Sequence, residues 1–439
     1  FSVGCLPMPK NTPPKTPGFK FVKEIGDIRE YKLLKNDLQV LLMEDHSSPT
    51  ATFMVTYRVG SRNEAVGHTG STHILEHLMF KGSKKFNSKT KQNIWSLENL
   101  GSQLNATTWL DRTNYYETVP IEYLKLAIQI EADRMRNATF TAKDLAKEMT
   151  VVRNEFERVE NDPTNLLDTE IWATAYLAHP YHHSTIGWRS DIENANVEQL
   201  RKFYNTFYHP NNATVTVIGD FDTKDILALV KKYFSVHQKV KNIPDVHTVE
   251  PAQSGPRHVV VARSIEPDTV GVAWKIPEAL HPDTHALQVL SSLLTSGKSS
   301  LLYRKLIDRG LATSVQATAF PTRDPGLFTI YASLAPGVEH KEVERVIVDT
   351  VEELKKTPPS EAIGRAKKLL EAEIAFARDG SYALASYINE AIALGDWAFF
   401  ATFMDKIEKV KSEELQRVVK KYFIPEQMTT GYFIHKDQT

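Results

Sequence analysis

Two stretches of this chain repeat one another in the order of their elements, which restricts the possible folds more than any other feature. Residues 197–218 contain LRKFY, then HPNN, then an apolar run, whereas residues 415–434 contain LQRVVKKYF, then IPEQ, then a similar run. Strand-like and helical segments also follow the same order in both halves. The pattern predicts a duplicated α+β domain of roughly 200 residues or slightly more.

Periodicity predicts the type of element within each half. In the first half the predicted strands are 39–43, 51–59, 115–119 and 213–218, and the predicted helical segments are 70–82 and 122–161. In the second half the predicted strands are 258–262, 269–274 and 326–334, and the predicted helices are 282–296 and 299–309. Strands bunched between helical hairpins favour mostly antiparallel or mixed sheets packed with helices over a doubly wound parallel sheet.

Proline and glycine mark the predicted boundaries. Residues 237–257 are rich in these residues and lack a clear period, so we interpret them as a linker between a first domain (20–236) and a homologous second domain (258–439). Residues 1–19 carry five prolines and are predicted to be extended. Their SVGC text resembles the end of an export signal, which favours the bacterial periplasm, although an arbitrary chain start is an equal explanation.

Composition excludes some classes of partner. Lys plus Arg number 53 against 54 Asp plus Glu, so charge gives no reason to expect binding to nucleic acid. No run of about 18 apolar residues predicts a transmembrane segment. With one cysteine, an intrachain disulfide is impossible.

Residues 73–77 read HILEH and carry the strongest functional signal. In a helix, residues three and four apart share a face, so His73, Glu76 and His77 converge on one patch. Two imidazoles at this spacing form half of a zinc site, and a neighbouring carboxylate can serve as general base. The pattern is the reverse of the commoner zinc-protease motif.

A catalytic zinc site needs a third protein ligand. Glu148 and Glu155 lie seven residues apart on a predicted helix that begins near Thr141, at the border of its apolar stripe. Arg158 is expected to point elsewhere. From the helix pattern alone, solvated carboxylates at the edge of the stripe are favoured over metal ligands.

Residues 69–82, TGSTHILEHLMFKG, resemble the signature of the inverzincin, pitrilysin-type metallopeptidases. In that family the distal ligand is a Glu just under eighty residues after the second His, in a context that VVRNE at 151–155 matches. GSQLNA at 101–106 resembles the family's GGxxNA segment, with Ser102 in place of the second glycine. The resemblance spans nearly the whole chain, including the repeated second half.

The resemblance implies a zinc-dependent endopeptidase for short or unfolded peptides in an enclosed chamber. His73, His77 and Glu155 would hold one Zn²⁺, and Glu76 would take a proton from the zinc-bound water. Glu148 would orient a ligand histidine from behind. Peptide would add as a strand along a sheet edge, with Asn105 and Ala106 nearby.

One departure from the family pattern concerns the second half. Self-sufficient relatives supply an Arg and a Tyr to the active site from a segment that here reads KLIDRGLATSV at 305–315. Thr313 occupies the Tyr position and Leu306 the Arg position, and Arg304 and Arg309 are the nearby alternatives for the Arg. We therefore expect a heterodimer whose homologous partner subunit supplies Arg and Tyr.

Two alternatives stay open at this point. The chain could be a non-catalytic scaffold subunit of the same fold, although such subunits typically lose the zinc residues that are present here. It could also be a processing peptidase specific for targeting presequences, which acidic patches in the chamber would favour.

Overall fold

The computed structural model describes residues 16–356, 360–377 and 379–436. Most of the segment predicted to be extended, residues 1–15, therefore lies outside the described residues. No helix within the described ranges is both long and apolar enough to cross a membrane.

The first half contains a seven-stranded mixed sheet. Its strands are β1 (Phe19–Ile25), β2 (Ile28–Leu33), β3 (Gln39–Glu44), β4 (Thr50–Tyr57), β5 (Gln103–Thr108), β6 (Thr113–Pro120) and β7 (Ala213–Gly219). The spatial order is β1-β2-β3-β7-β4-β6-β5, so β5 forms one edge. Only β3 and β7 pair in parallel among these strands.

The second half contains a five-stranded sheet. Its strands are β8 (Arg257–Arg263), β9 (Thr269–Ile276), β10 (Ala312–Ala319), β11 (Gly326–Leu334) and β12 (Met428–His435). The order β10-β11-β9-β12-β8 reproduces β5-β6-β4-β7-β3, and β8 and β12 again form the parallel pair. The predicted fold class, two homologous α+β domains, is confirmed.

Helices cover both sheets. Those of the first half are α1 (Ser71–Met79), α2 (Ile94–Glu98), α3 (Leu124–Asn137), α4 (Ala142–Glu160), α5 (Pro163–Ala175), α6 (Arg189–Glu193), α7 (Val197–Phe207) and α8 (Thr223–Phe234). Those of the second half are α9 (Thr284–Thr295), α10 (His340–Glu353), α11 (Ser360–Ala377), α12 (Ser381–Leu394), α13 (Ala398–Ala401), α14 (Phe403–Lys409) and α15 (Ser412–Tyr422). Residues Tyr303–Ile307 form a short π-helical segment where a longer helix was predicted.

The two halves exchange one helix each. Helix α5 of the first half packs on the second sheet, and α12 of the second half packs on the first sheet. At Gly271 and Gly431 a Cβ atom would lie 2.4 and 2.8 Å from the Ile171 side chain, so glycine permits the close approach of α5. This exchange buries an apolar layer on the outer face of each sheet.

No helix or strand lies between Phe234 and Arg257, where the linker is predicted. The segment is nevertheless anchored, because Glu250 accepts hydrogen bonds from the backbone N–H groups of Leu177, Ala178 and His179 and pairs with Lys275 of the second half.

Candidate metal and peptide site

Helix α1 carries the HILEH residues and begins after a glycine in the left-handed region of the backbone. Its N-cap is Gly70, with φ of 81°, and it offers no side-chain cap. The buried Glu64 carboxylate replaces the cap by accepting hydrogen bonds from the N–H groups of Gly70 (2.8 Å) and Thr72 (2.6 Å). Burial raises the pKa of Glu64 to about 8. The arrangement ties the start of α1 to a fixed group, one residue before His73.

Three side-chain atoms converge above α1. The Nε2 atoms of His73 and His77 lie 3.2 Å apart, and Oε2 of Glu155 lies 3.2 and 3.4 Å from them respectively. Glu155 comes from α4, which begins at the predicted capping box of Thr141 and Asp144. The structure thus brings the three predicted zinc ligands together although 78 residues separate His77 from Glu155.

The convergence fits a tetrahedral metal ion. Zinc binds imidazole nitrogen and carboxylate oxygen at about 2.0–2.2 Å, which sets neighbouring ligand atoms about 3.3 Å apart. The three observed distances match that spacing. Within the described ranges, these residues form the only group of three His, Cys, Asp or Glu side chains that could hold a metal. Two imidazoles and one carboxylate are also a donor set that zinc prefers.

The electrostatics of the group follow from its closeness. Hydrogen bonds from His73 and His77 hold the pKa of Glu155 well below its usual range. Burial alone would lower the pKa of His77, but the carboxylates of Glu155, Glu76 and Glu148 together outweigh burial, and the pKa is raised overall. The carboxylate is therefore ionised at neutral pH, as a metal ligand must be.

Glu148 lies behind one of the imidazoles. Its Oε2 is 3.3 Å from Nδ1 of His77, and its Oε1 pairs with Lys81 at the end of α1. An acceptor at Nδ1 selects the tautomer that presents Nε2 to a metal. This is the position predicted for Glu148, and its role stays a prediction.

Glu76 faces the edge strand of the first sheet. The hydroxyl group of Thr108, the last residue of β5, donates a short hydrogen bond to Oε2 of Glu76. The sequence pattern did not single out Thr108, because nothing in local text indicates that the strand end meets α1.

The free edge of β5 offers backbone groups to an extended peptide. The N–H of Trp109 donates to the carbonyl of Arg112 (2.9 Å), which identifies that pair as hydrogen-bonded in the β5–β6 hairpin. Because bonded pairs alternate along antiparallel strands, Leu104, Ala106 and Thr108 direct their backbone groups to the free edge. Asn105 lies on the same strand, where its side chain accepts a hydrogen bond from the N–H of Ala106 (2.9 Å).

A cavity of about 380 Å³ adjoins the predicted metal ligands His73 and Glu155. Phe320 and Thr329 of the second half also line it, so both halves of the chain build its wall. Arg158 also lines this cavity, so the expectation that Arg158 points away from Glu155 is wrong. Arg158 follows Glu155 by three residues, and residues at that spacing lie on the same side of a helix.

The positions that the family resemblance assigns to the Arg and the Tyr lie away from this cavity. Leu306 is fully buried in the second core, and Thr313 is exposed on β10. Arg304 and Arg309 are both exposed, and none of the four residues lines the cavity.

Comparison with known families assigns both halves. A model described as insulinase (peptidase family M16) matches residues 39–188, and one described as the peptidase M16 inactive domain matches residues 194–370.

Similar proteins cover nearly the whole chain. A Helicobacter pylori protein named zinc protease PqqE is 31% identical over 406 residues, which is 91% of each chain. A probable mitochondrial-processing peptidase subunit beta of Arabidopsis thaliana is 26% identical, over 89% of this chain and 75% of its own. The crystal structure of a protease from Helicobacter pylori superposes with a TM-score of 0.88 at 30% identity, covering 93% of this chain and 99% of that one.

Proposed function

This chain belongs to peptidase family M16, and from that membership we propose that it is a zinc-dependent endopeptidase acting on short or unfolded peptides. The observation that carries the proposal is the convergence of His73, His77 and Glu155 within 3.4 Å of one another, with Glu76 on the same face of α1. A scaffold protein has no need of such a group, since clustered imidazoles and carboxylate do not add to a core.

His73, His77 and Glu155 would hold the zinc ion, and Glu148 would fix the orientation of His77. When bound, zinc supplies Lewis acidity, which acidifies water and polarises a peptide carbonyl group.

Glu76 acts as the general base and then as the general acid. Thr108 occupies Oε2 of Glu76, which leaves Oε1 to accept a proton from the attacking water. The water oxygen bonds to the scissile carbonyl carbon, the C–N bond breaks, and Glu76 returns the proton to the leaving amine. The hydrogen bond from Thr108 fixes the carboxylate rotamer, so the base is held in place before substrate arrives.

Substrate binds as an added strand along β5. Backbone recognition of this kind tolerates many sequences, because the main chain supplies most of the hydrogen bonds. Ala106 contributes its backbone groups, and Asn105 must release the Ala106 N–H when a peptide takes its place. The same requirement excludes folded proteins, which cannot offer an extended segment to the edge.

We further propose that a homologous partner subunit supplies an Arg and a Tyr to the site. The support is that Leu306 is buried and Thr313 lies on β10, outside the cavity. Losing electrophilic donors to the tetrahedral intermediate typically costs about 10²–10³ in rate. A partner that encloses the site would also form the chamber.

The test of peptidase function is cleavage of an internally quenched, unstructured peptide by the zinc-loaded protein. We expect cleavage that a chelator abolishes and added zinc restores. Glu76→Gln is the matched control, because it should keep the metal and lose the rate. Cleavage that persists in the chelator or in Glu76→Gln would refute the proposal.

The test of the partner compares turnover of the chain alone with that of a coexpressed assembly containing a homologous Arg-Tyr subunit. We expect the assembly to be faster by about 10²-fold or more. Equal turnover by the purified chain alone would exclude the need for a partner.

A further inference from the structure

Three charged side chains lie together inside the first domain. Glu117 of β6 and Glu131 of α3 are 0% exposed, and Arg134 of α3 is 2% exposed. Nη2 of Arg134 lies 3.3 Å from Oε1 of Glu117 and also pairs with Oε1 of Glu131. Among the described residues, Arg134 is the only cation that pairs with either carboxyl group. The cluster therefore contains two acids and one base.

The other titratable groups that face this cluster are phenols. Tyr57 of β4, Tyr115 of β6 and Tyr204 of α7 surround it, together with Tyr208, which follows α7. Burial raises the pKa of Tyr57 and Tyr115 well above 10 and that of Tyr204 to about 12. Helix α1 faces two of the same phenols, Tyr115 and Tyr208, with Glu76. These groups supply no second positive charge.

The charges of the cluster balance only if it holds a proton. With both carboxyl groups ionised, two negative charges would face one positive charge, and burial of the excess charge is costly because solvation by water is lost. Burial raises the pKa of Glu117 well above its usual range, and so do the charge of Glu131 and a hydrogen bond between the two carboxyl groups. Such a hydrogen bond itself requires a proton, since two carboxylates can only accept.

Arg134 connects the cluster to helix α1. Its guanidinium carbon lies 5.2 Å from the ring centroid of Phe80 and 4.4 Å from that of Tyr115. Phe80 ends α1, and its N–H group donates to the carbonyl of His77 (3.2 Å). Within the described ranges, Nε and Nη1 of Arg134 have no hydrogen-bond partner, so ring contacts and the two carboxyl groups hold the guanidinium in place. Arg134 thus supports the end of the helix that carries His77.

We propose that Glu117 and Glu131 share one proton, and that the neutral cluster which this proton creates is a pH-sensitive support for the end of α1. The proton comes from solvent when the chain folds and returns to solvent at alkaline pH. Once it is lost, the two carboxylates repel each other, and Arg134 shifts away from Phe80. The support belongs to the fold itself, so it acts in the metal-free protein and does not depend on the proposed peptidase function.

Proton uptake of this kind makes stability depend on pH in a defined direction. The unfolded chain ionises both carboxyl groups above about pH 4.5, whereas the folded protein keeps one proton. The unfolding equilibrium constant should therefore rise by about tenfold per pH unit from that value up to the pKa of the folded pair. Above the pKa of the pair the proton is gone, and this contribution becomes constant.

The first experiment is urea denaturation of the metal-free protein and of Glu117→Gln between about pH 5.5 and 10.5. Glutamine keeps the shape of the side chain and cannot ionise, so Arg134 and Glu131 remain a balanced pair. We expect the ratio of unfolding constants, unaltered protein over variant, to rise by about tenfold per pH unit and then level off within this range. A ratio that is constant throughout would overturn the shared proton, and a ratio that never levels off would overturn the pH-sensitive support.

Further variants separate sharing from simple burial. Glu131→Gln should behave like Glu117→Gln, because either replacement leaves one acid for Arg134. Replacement of both acids leaves a buried cation without a counter-charge, so the double variant should unfold more readily than either single variant at every pH. A double variant more stable than both would overturn the inference. Glu122→Gln, an exposed position just before α3, is the matched control, and its ratio should not change with pH.

Hydrogen exchange tests the connection to α1. Comparison of the unaltered protein with Glu117→Gln at one pH cancels the intrinsic pH dependence of exchange. One pH unit above the point at which the ratio levels off, we expect the amides of Leu78, Met79 and Phe80 to exchange about tenfold faster in the unaltered protein. The amides of α10 in the second half should change less. An equal change in α1 and α10, or none in α1, would overturn the support of α1 by the cluster.

Discussion

The two halves of this chain share a fold and differ in what their first long helix meets. In the first half, α1 presents His73, Glu76 and His77 beside the open edge of β5. In the second half, polar side chains of α9 contact the backbone of the edge strand β10. The Ser291 hydroxyl donates a hydrogen bond to the carbonyl of Ala317, and the Thr295 hydroxyl accepts one from the N–H group of Ala317. The candidate metal site lies beside one edge strand, whereas the other edge strand is hydrogen-bonded by its own helix.

This difference supports the proposal that the chemistry depends on a few side chains of α1 and on a free edge of β5. Gln288 of α9 also donates to the carbonyl of Ala319. Side chains that satisfy the backbone of an edge strand protect it from pairing with other chains. The duplicated domains have equivalent edge strands, β5 and β10. The two halves differ in whether a helix hydrogen-bonds to the backbone of that strand.

The largest expected effect is the loss of turnover when Glu76 of the first half is replaced. Glu76→Gln should lower kcat by about 10²–10⁴-fold, because the general base is removed, while zinc content stays at one per chain. Gln288→Ala, on the corresponding helix, should change kcat by less than about twofold. Equal losses in both variants would mean that the rate reports stability and not chemistry.

Glu148→Gln tests how far the site depends on its supporting carboxylate. We expect zinc affinity to fall by about 10–100-fold, since the acceptor for Nδ1 of His77 is weakened. Affinity is measured by competition with a chromophoric chelator. Glu157→Gln on the same helix is the control, and an unchanged affinity in Glu148→Gln would leave Glu148 as a partner of Lys81 alone.

The exchanged helices offer a comparison of packing. Gly271→Ala should destabilise the protein by about 1–3 kcal/mol, because the new methyl group would meet the Ile171 side chain at 2.4 Å. Urea denaturation measures the free energy of unfolding. Gly255→Ala, where a Cβ atom meets nothing within 4 Å, should stay within about 0.5 kcal/mol. Similar losses at both glycines would argue against tight packing of α5.

The smallest expected effect is the pH dependence of zinc binding. Zinc requires a neutral imidazole, and the pKa of His77 is raised in the metal-free protein. Protonation of His77 therefore competes with zinc below that raised pKa, so zinc affinity should begin to fall at a pH that is still above 6.5. For each imidazole that titrates, the affinity should fall by at most about tenfold per pH unit. A chelator titration between pH 6 and 8.5 measures this, and a flat profile would contradict the assigned ligand.

Sequence patterns predicted the buried strands and the first functional helix well. β3, β4, β7, β9 and β11 carry apolar and β-branched residues, and each was predicted to within two residues at both ends. The edge strands β5 and β10 were not predicted, because QLNATT and ATSVQATA lack an apolar alternation. They form strands because β6 and β11 offer them partners, which is tertiary information.

The site divides in the same way. His73, Glu76 and His77 follow from helical spacing, whereas Glu155 depended on a resemblance, since helix statistics favoured a solvated carboxylate. Phe320 was not predicted from the sequence, because it lines the cavity only when the two halves pack together.

The most direct test of this account is anomalous diffraction at the zinc edge from crystals of the zinc-loaded protein. The account predicts one strong peak per chain, bounded by Nε2 of His73, Nε2 of His77 and the carboxylate of Glu155, and none between α9 and β10. A vacant position among these three residues in zinc-containing crystals, or an equal peak in the second half, would contradict it.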